Sequence, residues 1–188
     1  MLKKLYLTRH CEAVGQAHDA QLTKQGMQQA EVLADFFSTI QVDRIISSPY
    51  KRAIQSISPF KMKTGVPLET DERLTERVLS NENLEDWFEK LEASFEDMEL
   101  RYAGGESSLE AMKRIIEVLE EIIQSDVETS IVATHGNLLS LALMHYGGDF
   151  GFENWKNLSN PDIFLLEIDG DQIVIERVWA SEDIKEIL

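Results

Sequence analysis

Hydrophobic and polar positions along this chain follow two periodicities, that of buried strands and that of amphipathic helices. Short apolar runs predict buried strands at 5–7, 42–46 and 130–133. Between these runs, apolar residues recur at the helical period over 23–37, 53–60 and 108–125. Strands that alternate with helices in this way predict an α/β fold, with three layers (α/β/α) around a mostly parallel central sheet.

Two of the predicted helices have start signals in the sequence. The Thr23 hydroxyl is positioned to act as an N-cap for the first of them. Ser48 is expected to cap the next helix, with Pro49 at its first helical position. The residues of the first helix that we expect in the core are Met27, Ala30, Leu33, Ala34 and Phe37.

The segment from 80 to 106 is acidic but keeps apolar residues at helical spacing. These residues are Leu84, Trp87, Phe88, Leu91 and Phe95. The pattern predicts an amphipathic helix. Two interpretations stay open, an ordinary surface helix or a helical lid inserted over a cleft at roughly 78–106.

The C-terminal part of the chain carries a hairpin signal. Apolar runs at 163–168 and 172–178 flank Asp169-Gly170-Asp171, and Asp-Gly between β-rich runs predicts a tight turn. Because no repeat, low-complexity stretch or linker divides the chain, we expect a single domain over 1–188. An apolar hairpin at a sheet edge could pair between subunits, so a homodimer is one expectation.

The composition limits the classes of partner and the compartment. The chain has 34 acidic and 18 basic residues, a formal net charge of −16. Such a surface repels nucleic acid and anionic membranes, so we expect neither as a partner. There is one cysteine, no signal-peptide pattern, and no apolar stretch near the ~18 residues that span a bilayer. These features lead us to expect a cytoplasmic protein.

Histidine and arginine side chains follow the ends of three predicted strands. Arg9 and His10 follow the first strand, Arg52 lies in the first turn of the helix after the second, and His135 follows the third. In an open, mostly parallel sheet, such junctions meet at the carboxyl edge, where ligands bind. We therefore expect these side chains to converge, although 125 residues separate the two histidines (135 − 10).

Each of these residues alone has an ordinary explanation as a solvated side chain at the surface. Together, two histidines and two arginines suit a phosphate dianion, because guanidinium groups bind phosphate oxygens in pairs. A neutral imidazole beside them is able to attack phosphorus. The neighbouring arginines also disfavour protonation of His10, which keeps its ring neutral.

The segments around these residues resemble the histidine phosphatase superfamily, on the branch of cofactor-dependent phosphoglycerate mutases and small phosphatases. The resemblance covers most of the chain and rests on the order and spacing of several short motifs. They are Leu7–Glu12, Leu22–Gly26, Ser47–Ala53, Leu74–Glu76, Gly104–Ser107 and Thr134–Asn137.

The resemblance implies roles for individual residues. It implies that His10 attacks phosphorus and becomes a phosphohistidine, and that Glu76 protonates the leaving oxygen and later activates water. His135 completes the implied catalytic set and helps to hold the phosphoryl oxygens. The implied phosphate-binding residues are Arg9, Arg52, Gln16, Thr23 and Gly136. No metal and no other cofactor is implied, because the arginines supply the positive charge.

The chain departs from the family pattern at several positions. Cys11 stands where the family has glycine, and we expect a small buried residue there. Gln16 is the nearest candidate for an asparagine that the family usually carries in this loop. The segment after Glu76 lacks the usual glycine and aromatic pattern, and the longer segment of mutases is absent. We therefore favour a phosphatase of a small phosphorylated metabolite over a mutase, with a non-catalytic module that binds phosphorylated ligands as a further alternative.

Two other classes of site fit these residues less well. Cysteine phosphatases carry His-Cys, five residues and then arginine, but the residue at that spacing after Cys11 is Ala17, so this class is excluded. A zinc site of His10, Cys11 and His135 has suitable ligand types but no compact ligand spacing.

Overall fold

A six-stranded sheet organises the part of the chain that the structure describes, residues 2–147 and 149–179. The structure is a computed structural model. Its strands are β1 (Lys3–Arg9), β2 (Arg44–Ser47), β3 (Leu68–Thr70), β4 (Thr129–Thr134), β5 (Asp162–Asp169) and β6 (Gln172–Arg177). Its helices are α1 (Lys24–Ser38), α2 (Lys51–Thr64), α3 (Trp87–Glu96), α4 (Ser108–Gln124), α5 (Gly136–Gly147) and α6 (Phe152–Lys156), with a short 3₁₀ turn at Glu72–Leu74.

The strand order confirms the predicted sheet. The order is β3-β2-β4-β1-β5-β6, and the first four strands pair in parallel. The C-terminal strands β5 and β6 add to the sheet in antiparallel orientation. In the register, Arg9 lies opposite Thr134 on one side and Asp162 on the other. The carboxyl ends of β1, β2 and β4 therefore meet at one edge, which is where a ligand site is expected.

Helices cover both faces of the sheet, as the three-layer prediction required. Helices α1 and α2 bury a first core that includes Tyr6, Phe37, Ile45, Ile57 and Ile131. Helices α3 to α6 bury a second core that includes Leu5, Leu7, Ile115, Leu119 and Val132. Neighbouring residues of β1 point into opposite cores because successive side chains of a strand alternate between its faces.

One predicted helix start is confirmed and the other is wrong. The Thr23 hydroxyl accepts a hydrogen bond from the Gly26 N–H at 2.9 Å and caps α1. Ser48 does not cap α2, which begins three residues later, at Lys51. The Ser48 N–H donates to the Ala133 carbonyl at 2.8 Å, so pairing with β4 continues past the end of β2. The Ser48 hydroxyl accepts from the Tyr50 N–H at 3.2 Å, in the turn that precedes the helix.

The expectation that Met27 lies in the core is wrong, because 47% of its surface is exposed. Helix α1 instead turns Gly26 and Gln29 toward the loop that follows β1. The Gln29 amide oxygen accepts a hydrogen bond from the Glu12 N–H at 2.9 Å. A Cβ atom at Gly26 would lie 2.0 Å from the Glu12 carbonyl oxygen, so this close approach requires glycine.

The acidic segment forms a shorter helix than its apolar spacing suggested. Helix α3 buries Leu91 and Phe95, whereas Trp87 and Phe88 at its start are exposed. Leu84 lies before the helix begins. The interpretation of 78–106 as a lid stays a prediction.

The C-terminal hairpin is confirmed. Asp169 pairs with Gln172 across the turn, and Gly170 has φ = +60°, a conformation that favours glycine. Strand β6 lies at the edge of the sheet and exposes Ile173 and Val174. Pairing of this edge between subunits stays a prediction. None of the helices described has the length and apolar character needed to cross a membrane.

Candidate active site

His10 lies directly after β1, at the carboxyl edge of the sheet, and is 6% exposed. Its Nδ1 is 2.7 Å from the carbonyl oxygen of Cys11. A carbonyl only accepts hydrogen bonds, so Nδ1 carries the ring proton and Nε2 carries the lone pair. The Nε–H of Arg52 donates to that Nε2 at 3.1 Å. The ring is therefore oriented with its nucleophilic nitrogen toward Arg52.

Burial keeps the His10 ring neutral. Desolvation lowers its pKa to about 3, and the positive charges of Arg52 and Arg9 act in the same direction. The hydrogen bond to the Cys11 carbonyl opposes this shift without reversing it. A neutral imidazole with a defined lone pair is the state that a nucleophile requires.

The two histidines meet, as the sequence predicted. The ring centroids of His10 and His135 are 5.2 Å apart, with an angle of 65° between the planes. His135 is fully buried, and its Nε2 is 2.7 Å from the Ser48 hydroxyl oxygen. Its Nδ1 has no hydrogen-bond partner among the described residues. Burial lowers the pKa of His135 well below the ordinary value, with the neighbouring His10 and Arg52 contributing.

Arg52 is the second residue of α2 and is 1% exposed. Its Nη1 donates to the backbone carbonyls of Gln16 and Ala17, at 3.1 and 2.8 Å. The loop after β1 thus fixes the direction of this guanidinium. The carbonyl of Gln16 takes part in that anchoring, while its side chain is exposed at the rim of the site.

The Arg9 guanidinium packs closely against Gly136. Its Nη1 donates to the carbonyls of Leu158 and Ser159, at 3.0 and 3.3 Å, and its buried Nε has no partner among the described residues. A Cβ atom at Gly136 would lie 3.0 Å from Arg9 Nε and 3.1 Å from Cζ. Gly136 therefore contributes space for the guanidinium group.

Glu76 is held at the start of α5. Its Oε1 accepts hydrogen bonds from the N–H groups of Arg77 and Leu138, at 2.9 and 3.1 Å, and its Oε2 accepts from the Asn137 N–H at 3.1 Å. A helix N-terminus favours a negative charge at this position. The same charge partly offsets the lowering of the pKa of Arg9 and of Arg52 by burial.

A cavity of about 620 Å³ opens above these groups. Five of the predicted site residues line it: Arg9, His10, Gln16, Arg52 and Glu76. Of the remaining predicted residues, His135 packs against His10 and Tyr50, which both line the cavity. Thr23 is not brought to the cavity wall: its hydroxyl caps α1 and donates to the Glu12 carboxylate at 2.7 Å.

Among the cavity residues that the sequence analysis did not single out, three have polar groups close to the predicted site residues. Asn137 is 5% exposed and lines the cavity, and neither atom of its side-chain amide has a partner among the described residues. Tyr50 lies over the Arg52 guanidinium, 4.9 Å from its Cζ atom. Arg77 follows Glu76 directly. The signal that could have identified them is their position in the sequence, within two residues of the predicted site residues Glu76, Gly136 and Arg52.

Cys11 occupies its position as a fully buried small residue, as expected. Its N–H donates to the Ser56 hydroxyl at 2.8 Å, and burial raises the pKa of its thiol to about 12. Within 2–147 and 149–179, no three His, Cys, Asp or Glu side chains come together as a group that could hold a metal ion.

Comparison with known proteins identifies one matching family and a curated relative of this chain. Residues 5–181 match the family described as the histidine phosphatase superfamily (branch 1). Among curated proteins, the chain is 30% identical over 183 residues to one from Hydrogenobacter thermophilus named "Putative phosphoserine phosphatase 2", and the match covers 89% of each chain.

Solved structures share the fold at lower identity. A mycobacterial glucosyl-3-phosphoglycerate phosphatase superposes with a TM-score of 0.75 at 22% identity, covering 95% of this chain and 98% of that one. A mutant phosphoserine phosphatase from Entamoeba histolytica, in complex with phosphoserine, gives a TM-score of 0.76 at 20% identity, covering 92% and 94%.

Proposed function

The chain belongs to branch 1 of the histidine phosphatase superfamily and is a phosphatase, and we propose that it hydrolyses a phosphomonoester of a small metabolite through a phosphohistidine intermediate. One observation carries the proposal. The buried, neutral ring of His10 presents the lone pair of Nε2 to a guanidinium, beside a cavity that Arg9 and Glu76 also line.

In the first step, His10 Nε2 attacks the phosphorus atom of the bound ester. The bond between phosphorus and the ester oxygen breaks, and its electron pair leaves with that oxygen. The phosphate dianion of the bound ester favours the protonated form of the nearby Glu76 carboxyl, which gives its proton to the oxygen, so that an alcohol is released. The Nδ1–H of His10 stays on the Cys11 carbonyl, which stabilises the positive charge that the phosphorylated ring acquires.

In the second step, water attacks the phosphorus atom of the phosphohistidine. The Glu76 carboxylate takes a proton from this water, and the bond between phosphorus and Nε2 breaks. The electron pair returns to Nε2, and inorganic phosphate leaves. Glu76 thus regains the proton that it gave in the first step, which closes the cycle.

Positive charge around the phosphoryl group supports both steps. Arg9 Nε is buried without a partner among the described residues, and Arg52 Nη2 makes no hydrogen bond among them. These donors are available to phosphoryl oxygens, and stabilisation of developing charge is usually the largest catalytic contribution. We assign the ring proton of His135 to its partnerless Nδ1, with Nε2 accepting from the Ser48 hydroxyl. This ring, which lies beside that of His10, then supplies a further donor to the phosphoryl oxygens.

The test is turnover of a generic aryl phosphate in the presence of EDTA. We expect turnover that resists the chelator and vanishes in the His10→Ala variant. Trapping of the wild-type enzyme at short times is expected to show an acid-labile phosphoryl group that the variant lacks. Chelator-sensitive turnover would contradict the mechanism, and phosphate binding without turnover would instead support a non-catalytic module.

We also propose that the protein works in the cytoplasm on a small phosphorylated substrate. The single cysteine is buried as a free thiol, so the fold requires no oxidising compartment. Cell fractionation with an antibody against the protein tests this. Recovery in a membrane or secreted fraction would contradict it.

A further inference from the structure

Arg77 is a buried arginine whose hydrogen-bond partners are all neutral. It is 6% exposed. Its Nη1 donates to the Ser94 hydroxyl at 2.7 Å, and its Nε donates to the backbone carbonyl of Glu106 at 3.2 Å. Its Nη2 is buried without a partner among the described residues, and none of their carboxylates forms an ion pair with Arg77.

A buried charge without a partner is unfavourable unless something else compensates it. Two carboxylates lie near Arg77 but are already engaged. Glu106 binds Arg114 through both oxygens, at 2.6 and 3.1 Å, and Glu76 is held by three backbone N–H groups. Burial lowers the pKa of Arg77 in spite of these two charges. The guanidinium is thus held in place by neutral groups and keeps capacity for an anion.

The position of Arg77 relates it to the leaving group of the proposed reaction. Arg77 lines the same cavity as His10 and follows Glu76, the proposed proton donor to the ester oxygen. Its own N–H binds one oxygen of the Glu76 carboxylate, and the N–H of Asn137 binds the other. Arg77 and Asn137 therefore flank the acid, and both side chains have polar atoms without partners.

We propose that Arg77 binds a carboxylate on the leaving alcohol, so that the substrates are phosphomonoesters with a carboxylate a few bonds from the ester oxygen. This inference rests on the proposed function. A carboxylate matches the planar fork of a guanidinium. The short separation follows because the Arg77 guanidinium lies near enough to Glu76 for the charge of that carboxylate to act on it, and the Glu76 carboxyl serves the ester oxygen.

The charge of the site favours a carboxylate over a second phosphate. Among the described residues that line the cavity, the cations are Arg9, Arg52 and Arg77, and the acidic residues are Glu76 and Glu82. The first two stand around His10, where the transferred phosphoryl group binds. One guanidinium then remains near Glu76, and it balances one negative charge rather than the two of a phosphomonoester.

The experiment compares matched pairs of alkyl phosphates that differ in the carboxylate. The pairs are O-phosphoserine with its carboxamide, and 3-phosphoglycerate with glycerol 3-phosphate. The measured quantity is the preference, the ratio of kcat/KM within each pair. We expect the wild-type protein to prefer the carboxylate by about 10-fold or more, and Arg77→Gln to reduce this preference by about 10- to 100-fold.

Two further variants separate binding from folding and from overall charge. Arg101→Gln removes the same charge from an exposed arginine that pairs with Glu110 outside the cavity, and its preference is expected to equal that of the wild type. Arg77→Lys keeps the charge but loses the fork, so part of the preference should remain. Thermal melting of each variant shows which ones are folded.

Three results would overturn the inference. The first is a wild-type protein that shows no preference in either pair. The second is a loss of activity in Arg77→Gln or Arg77→Lys that is equal for both members of a pair. The third is a fall in the preference of Arg101→Gln as large as that of Arg77→Gln. Turnover of a generic aryl phosphate distinguishes the two proposals. If the wild type hydrolyses it but shows no preference, only the Arg77 inference fails; if no phosphomonoester is hydrolysed, the proposed function itself fails.

Discussion

The Nε–H of Arg52 donates a hydrogen bond to Nε2 of His10 at 3.1 Å, so an arginine binds the nitrogen whose lone pair is proposed to attack phosphorus. The same guanidinium is anchored from its other side by two carbonyls of the loop after β1. A bound phosphoryl group has to take over this hydrogen bond before His10 reacts. Arg52 thus orients the ring in the free protein and is positioned to bind the phosphoryl oxygens afterwards.

Arg52→Lys is therefore expected to lower kcat/KM for an aryl phosphate by about 10²-fold or more, because a lysine keeps the charge but lacks the planar fork whose separate nitrogens bind His10 and the loop carbonyls. Steady-state rates measure the effect. Arg44→Lys is the matched control, since Arg44 pairs with Glu69 at the surface. Equal rates for the wild type and Arg52→Lys would contradict the assigned role.

The buried histidines are expected to make stability depend on pH. The unfolded chain binds a proton at each histidine below about pH 6.5, whereas folded His10 stays neutral down to about pH 3 and the pKa of His135 is also lowered. The unfolded state then binds more protons, so the free energy of unfolding falls as the pH is lowered through this window. The slope is at most about 1.4 kcal/mol per pH unit for each histidine.

Urea unfolding of the wild type and of His10→Gln at pH 7, 6 and 5 isolates this contribution, because carboxylates affect both proteins alike. Between pH 6 and 5, the wild type is expected to lose about 1 kcal/mol more than the variant. Parallel profiles for the two proteins would show that His10 is not held neutral by the fold.

Glu76→Gln is expected to affect substrates according to their leaving groups. An alkoxide needs a proton as it leaves, whereas nitrophenolate leaves without one. The variant should therefore lose about 10²- to 10⁴-fold in kcat on an alkyl phosphate and clearly less on 4-nitrophenyl phosphate. Losses of equal size on both substrates would assign Glu76 to the structure of the site, where it accepts three backbone hydrogen bonds.

Gly136→Ala tests the close approach of Arg9. The added Cβ atom would lie 3.0 to 3.1 Å from the Arg9 guanidinium, which has to shift by a few tenths of an ångström. We expect kcat/KM to fall by about 10-fold, since small displacements of charged groups in a site are costly. Gly151→Ala is the matched control, because its Cβ atom meets nothing within 4 Å. Unchanged kinetics of Gly136→Ala would show that Arg9 tolerates the shift.

The convergence of His10, Arg52 and His135 was predictable because each stands at the end of a strand or the start of the following helix. Local periodicity placed those junctions, and parallel pairing of β1, β2 and β4 brings their carboxyl ends together. The hairpin turn at Gly170 was predictable for a similar local reason, since its conformation suits glycine.

Other features depend on contacts that no local pattern encodes. Ser48 carries a typical N-cap signal, yet its N–H pairs with β4 and its hydroxyl contacts His135, 87 residues away. Met27 fits the apolar stripe of α1, yet it is exposed, because the loop after β1 packs on the face of that helix that carries Gly26 and Gln29. In both cases, contacts with a distant segment of the chain determined the structure that the local pattern adopts.

The sequence by itself determined the alternation of strands and helices and the strand ends that carry the reactive side chains, because both follow from periodicities of a few residues. Only the tertiary structure decided how those side chains are held. Arg9 is anchored by carbonyls about 150 residues away, and Glu76 is bound by the first turn of α5. It also left Arg77 buried among neutral groups. The physical reason is that the direction, burial and charge balance of a side chain are set by the elements that pack around it, and these come from distant parts of the chain.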